Sequence, residues 1–274
     1  YRNPIIEPDP LCVGVSQSGE TADTLFAVQE IQRKGGHVVG LVNVVGSSIA
    51  RACGGGIYLH AGPEVSVAST KVLTHMGVGF AMLAVLLGRV RDLSHSDGAR
   101  ILAGLERIPD QVREILDREA EIGAVADVVA DATSVFFIGR VRGYPVAREG
   151  AQKLKEISYL HAEAYPSSEL KHGPLALISA EMPTVAIVPD DELVDRNIGA
   201  LHEVSARQGP LVVVTHEAVE IDVEVARIDV PKNERELDPL LMTVPLQLLA
   251  HQVATRLGRD IDRPRNLAKS VTVE

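Results

Sequence analysis

The chain has 274 residues, 46% apolar and 23% charged, and its 27 basic and 37 acidic residues give a formal net charge of −10. That length suits roughly two domains, and the acidic balance disfavours a nucleic-acid backbone as partner while leaving room for a small phosphate ligand in a locally positive site. Two cysteines, Cys12 and Cys53, exclude a disulfide framework or a cysteine metal cluster, and Cys12 inside an apolar run predicts a buried, inert thiol. The longest apolar stretch, Met76 to Gly88, is shorter than the ~20 residues a bilayer requires. No secretory pattern opens the chain, so the expected compartment is the cytoplasm and no membrane partner is expected.

In chain order, short β-branched runs alternate with longer helical patterns, which predicts an α/β fold with parallel sheets flanked by helices. Leu11–Val15 is followed by a helix from Thr21 to Lys34, strands at 37–42 and 56–60, and a long helix from Ser69 to Arg89. Residues 96–131 read as two helices with Pro109 at the break. A strand at 134–139, a helix from Pro145 to Tyr159 and a loop region from His161 to Ile178 come next. Then Thr184–Val188 is followed by a helix from Leu193 to Gln208, strands at 210–215 and 226–230, and a helix from Leu240 to Leu257.

The strand–helix–strand–strand–helix order from Leu11 recurs from Thr184 at an offset of about 170 residues, a domain-sized repeat. The elements ahead of Thr184 have no counterpart ahead of Leu11, so the first copy is expected to lack its beginning. The predicted organisation is a first domain at 1–95, incomplete at its start, a helical connection at 96–131, a second domain at 132–262 and a tail at 263–274.

The stretch Ser16-Gln17-Ser18-Gly19-Glu20-Thr21 lies between a strand and a helix. A helix N-terminus attracts anions through its free N–H groups and dipole. Ser16, Gln17, Ser18 and Thr21 add four side-chain donors where one Ser or Thr would suffice as a cap. Neither a Walker nor a dinucleotide pattern is present, so a sugar phosphate fits better than a nucleotide. The equivalent turn of the second copy carries Asp190, Asp191 and Glu192 and would repel a phosphate; one phosphate site per chain is expected. Ser69 and Thr70, opening the next long helix, are a candidate second wall or a simple cap.

On the helix after residue 145, Glu149, Lys153 and Glu156 share one face at i, i+4 and i+7, with Gly150 and Ala151 suited to close packing. Two readings stand: a solvated Glu–Lys stripe, or a carboxylate general base beside a lysine. Beyond it, Ser168 opens a short turn containing His172, which Gly173 and Pro174 would stop. In the ending, Leu267 and Val271 are expected to anchor a docked tail that carries Lys269.

The segments SQSGETADTL, VASTK, KLKEISYLHAEAY, ELKHGPLALI and PRNLAKSVTVE together closely resemble the isomerase half of the glutamine:fructose-6-phosphate amidotransferase (glucosamine-6-phosphate synthase) family. The resemblance runs through the whole chain. It implies two SIS (sugar isomerase) domains and binding of the phosphate of fructose 6-phosphate by Ser16, Gln17, Ser18 and Thr21, with Val67 and Ser69 lining the sugar site. It further implies Glu156 as the base that moves a proton between C1 and C2, with Lys153 beside it. His172 would open the sugar ring, donated by the partner subunit of a homodimer, and Lys269 would engage the open-chain ketose, a Schiff base being one form of that engagement. No metal or organic cofactor is implied. The family's glutaminase domain and the opening of its first SIS domain have no counterpart in this chain, and Pro166 departs from the small residue expected there. The competing classes are a stand-alone SIS phosphosugar isomerase or deglycase, which would lack the NLAKSVTVE ending, and a non-catalytic sugar-phosphate-binding module, which could lose Glu156, His172 and Lys269 together.

Overall fold

A computed structural model describes residues 3–7 and 9–269. The chain divides into two compact units, residues 1–86 with 265–274, and residues 87–264.

The first unit contains β1 (Leu11–Ser16), α1 (Ala22–Arg33), β2 (His37–Val42), α2 (Ser48–Cys53), β3 (Gly56–Tyr58) and all but the last four residues of α3 (Lys71–Val90). Its strands are parallel, in the order β1-β2-β3, with Leu11 opposite His37. Parallel neighbours need a crossover, and α1 and α2 supply the two connections. β2 alternates as a strand covered on both faces must. Val38 and Val42 pack with Val28, Ile49 and Cys53, whereas Leu41 packs with Leu59 and Val72. Burial raises the pKa of the Cys53 thiol, while Cys12 is only half-buried.

Helix α3 corrects one expectation. It extends the apolar stretch at both ends to 20 residues with a mean hydropathy of 1.6, long and apolar enough to cross a membrane by length and composition. In the fold it flanks the sheet. A Cβ on Gly79 would lie 2.9 Å from Leu41 Cδ1, so the missing side chain lets the helix approach β2.

The second unit runs α4 (His95–Asp117), α5 (Glu119–Ala130), β4 (Ser134–Gly139), α6 (Gly143–Ser158), β5 (His161–Pro166), β6 (Thr184–Val188), α7 (Val194–Ser205), β7 (Leu211–Thr215), β8 (Ala226–Asp229) and α8 (Asp238–Arg256). Its five parallel strands are ordered β5-β4-β6-β7-β8. The run β6-β7-β8 with α7 and α8 repeats the pattern of β1-β2-β3 with α1 and α3. β4 and β6 are continuous apolar runs because both faces are buried: Val135 to Ile138 and Val185 to Val188 are each at most 1% exposed.

Two expectations fail here. Residues 161–166 form an edge strand paired with β4, not a loop. Its alternating His-Ala-Glu-Ala-Tyr-Pro composition hides a strand that has a partner on one side only. Pro109 does not break the connection either: α4 runs straight through it, and the break falls at Arg118. A helix-interior proline costs about 3 kcal/mol, but the buried stripe of Ile101, Ile108 and Ile115 spans both sides of it and holds the helix together.

Candidate functional site

In the first unit the turn after β1 is built by its own hydroxyls. Ser16, buried at the strand's end, accepts a hydrogen bond from the Gly19 N–H (2.9 Å), and its Oγ lies 3.2 Å from Thr21 Oγ1. Ser18 Oγ accepts from the Glu20 N–H at 3.1 Å. Gly19 has φ +68°, and a Cβ there would fall 1.9 Å from Ser47 Oγ, so a glycine is required both by conformation and by space. Thr21 is the N-cap residue of α1, yet its hydroxyl makes no capping bond. The hydroxyl lies against Ser16 Oγ instead. Two of the four expected donors, Ser16 and Ser18, also shape the turn; Gln17 is half-buried beside them.

The loop before α3 organises a second cluster in the same unit. The Glu64 side chain is 4% exposed. Its carboxylate accepts from Ser69 Oγ (2.6 Å) and from the Thr70 N–H (2.8 Å), so Ser69 is not a simple cap and α3 starts at Lys71. Lys269 reaches into this cluster: its Nζ is 3.0 Å from Glu64 Oε2 and donates to the Ser66 carbonyl at 2.6 Å. Val67 lies half-buried in the loop. Ser69 and Lys269, far apart in sequence, thus converge on one carboxylate. The expected anchoring differs, because Leu267 is 48% exposed and the lysine, not the leucine, makes the recorded polar contacts. Val271 lies outside the described residues.

The acids of the corresponding turn of the second unit are paired from within. Arg142 binds Asp191 (2.9 Å) and Glu192 (2.7 Å), and Lys232 pairs with Asp190. The backbone N–H groups of Asp190 and Leu193 donate to His216 Nδ1 (3.0 Å) and to the Asp191 carboxylate (2.8 Å).

Helix α6 carries the charged face of the second unit, with its lysine buried and its two glutamates half-buried. Lys153 is 5% exposed. Its ammonium lies 2.6 Å from Glu156 Oε2 and 3.7 Å from Glu149 Oε1. Gln152 Nε2 donates to the other Glu156 oxygen at 2.7 Å. Burial is possible because Gly150 packs against the neighbouring core: a Cβ there would meet Leu246 at 2.7 Å and Phe137 at 2.8 Å. The solvated-stripe reading therefore fails. Burial, opposed by the Lys153 ammonium and reinforced by the Glu156 charge, pushes the Glu149 carboxyl up to about 7. A carboxyl of that kind exchanges protons near neutrality. His172 stands exposed at the end of a 3-10 turn, Ser167–His172, and Gly173 with φ +144° turns the chain away. Among the described residues, no group of three or more His, Cys, Asp or Glu is placed to hold a metal.

The SIS domain signature matches residues 1–86 and 129–256. The chain belongs to the SIS family. Within it, the chain is 45% identical over its whole length to a glutamine–fructose-6-phosphate aminotransferase (isomerizing) of Chlorobaculum tepidum and 44% identical to that of Thermus thermophilus. It spans about 45% of the length of these relatives. The solved C-terminal domain of glucosamine-fructose-6-phosphate aminotransferase from Francisella tularensis is 39% identical, with a TM-score of 0.91 over 96% of this chain and 75% of that one. At 17% identity and a TM-score of 0.69, the tagatose-6-phosphate ketose/aldose isomerase of Escherichia coli shares the fold.

Two residues of this SIS chain gain their surroundings only in the fold. Glu149 was visible on the face of α6, but its elevated pKa depends on packing that spacing does not reveal. Glu64, three residues before Val67, carries no motif; its place becomes evident only when Lys269 folds back onto it.

Proposed function

We propose that this chain is the isomerase half of a glucosamine-6-phosphate synthase, which converts fructose 6-phosphate and glutamine-derived ammonia into glucosamine 6-phosphate and water. The observation that carries the reading is the buried Lys153 set between the half-buried Glu149 and Glu156 in a chain 45% identical to an isomerizing aminotransferase. A water-excluded lysine between two carboxylates has little structural rationale on a helix that could bury apolar residues instead, since such pairs seldom add net stability.

In the proposed reaction the turn at 16–21 fixes the phosphate, and remote binding energy holds the reacting carbons. His172 opens the ring. Lys269 condenses with the C2 carbonyl, and ammonia displaces it. Glu156 takes a proton from C1 and returns it to C2, carrying it as a carboxylic acid in between, with the Lys153 ammonium 2.6 Å from it. Glutamine hydrolysis belongs to a glutaminase domain in the full-length chain, and the compartment is the cytoplasm.

The active protein is a homodimer in which His172 of one chain and Glu156 of its partner act on the same sugar. Mixing His172→Ala with Glu156→Gln subunits tests this. A hetero-dimer would place both defects in one site and leave the other wild type, so activity should recover to at most about half of the wild-type value by site counting in a two-fold assembly. Subunits that demonstrably exchange while the mixture stays inactive would show that His172 serves its own chain.

A further inference from the structure

We propose that Glu64 is a positioning residue for the reaction, the seat and fixed counter-charge of the Lys269 nitrogen. The inference rests on the reading that Lys269 forms an imine with the open-chain ketose, and it assigns that step a partner.

Glu64 is bound more heavily than a helix cap requires. One oxygen accepts from the first N–H groups of α3, Thr70 at 2.8 Å and Val72 at 3.4 Å. The other accepts from Ser69 Oγ at 2.6 Å and from Lys269 Nζ at 3.0 Å. Burial alone would raise this carboxyl, but the bonds from Ser69, Thr70 and Lys269 outweigh it and hold its pKa below the usual carboxylate range. The group is therefore an anion fixed in place on a rigid helix end. Its side chain is 4% exposed, so water screens it weakly.

The chemistry makes use of such an anion throughout. Condensation converts an ammonium and a carbonyl into an iminium and water. The C–O double bond is replaced by C–N, and two protons leave nitrogen with the departing oxygen. The nitrogen carries one positive charge before and after, so a single fixed negative partner serves both states without moving. Glu64 also joins the C-terminal segment to the loop carrying Val67 and Ser69, which places the amine beside the residues assigned to the sugar.

The test traps the imine in the full-length protein with fructose 6-phosphate and cyanoborohydride, and reads the adduct on the Lys269 peptide by mass spectrometry across pH. Wild type should give the adduct. Glu64→Gln keeps an acceptor for the α3 N–H groups but removes the charge. Its trapped fraction should fall by about tenfold, the worth of one pKa unit of lost counter-charge, and the pH above which the adduct disappears should move toward acid. A purely structural cap would lower the melting temperature and the adduct together without moving that pH. Glu64→Asp, which restores the charge one methylene short, should recover part of the adduct with an unshifted profile; it also serves if Glu64→Gln does not fold. Wild-type trapping and an unchanged profile in Glu64→Gln, or, where the glutamine variant is unfolded, an acid-shifted profile in Glu64→Asp despite its retained charge, would overturn the proposal. Absence of a Lys269 adduct in wild type would instead overturn the imine reading, and this inference with it.

Discussion

Lys153 holds its ammonium 2.6 Å from the Glu156 carboxylate with only 6% of its side chain exposed. Removing the cation would leave two half-buried carboxyl groups facing each other without it. Truncating one partner of a buried ion pair is strongly destabilising, so Lys153→Met is expected to cost about 3 kcal/mol or more. Urea denaturation at neutral pH measures it. A loss below about 0.5 kcal/mol, the worth of an exposed pair, would return the face to a surface role.

Glu156→Gln in the full-length enzyme should leave sugar-phosphate binding nearly intact and lower turnover by about 10²–10⁴-fold, the usual contribution of a positioned acid or base. Steady-state kinetics alongside a binding isotherm separate the two effects. Equal losses in both would assign Glu156 to substrate binding.

Glu149 predicts a pH dependence of folding. Its carboxyl is raised to about 7 in the folded chain and titrates near 4.5 when unfolded. Between those values the folded state binds the extra proton, so stability falls as pH rises from about 4.5 to 7 and is flat above. Glu149→Gln stays neutral and should lose that slope, becoming more stable relative to wild type at pH 8 than at pH 5. Thermal denaturation of both proteins at the two pH values decides it; a constant difference would show that Glu149 is not titrating in this range.

Gly19→Ala should cripple phosphate binding. The left-handed φ of +68° strains any side chain, and the new Cβ would collide with Ser47. The turn must open, which breaks the Gly19 N–H to Ser16 bond. Fructose 6-phosphate affinity should drop at least tenfold, about 1.4 kcal/mol, by titration calorimetry. A crystal soaked with the sugar phosphate should show its phosphate at this turn; density at Asp190–Glu192 instead would refute the assignment.

Deleting residues 264–274 should abolish isomerisation, because Lys269 is seated on Glu64 rather than free in solvent. Product formation by the truncated full-length enzyme is the measurement, and retained activity would exclude a catalytic tail.

The α/β class, the internal repeat and the contrast between a hydroxyl-rich turn and an acidic one are legible in the chain itself. Each of these is written in local chemistry: β-branched runs for doubly covered strands, hydroxyls against acids at a helix start. It also placed Glu149, Lys153 and Glu156 on one face, since helical spacing alone dictates that. That Lys153 on this face is buried depends on the fold, because Gly150 packs against Leu246 and Phe137, residues remote in the chain. The same holds for β5, whose polar alternation makes sense only once β4 is seen beside it, and for α4, whose isoleucine stripe carries the helix through Pro109. The anchoring of the tail was misassigned to Leu267 because apolar residues suggest burial in sequence. In the fold, a carboxylate 205 residues away holds Lys269 instead, and pairing across that separation is a property of the folded chain alone.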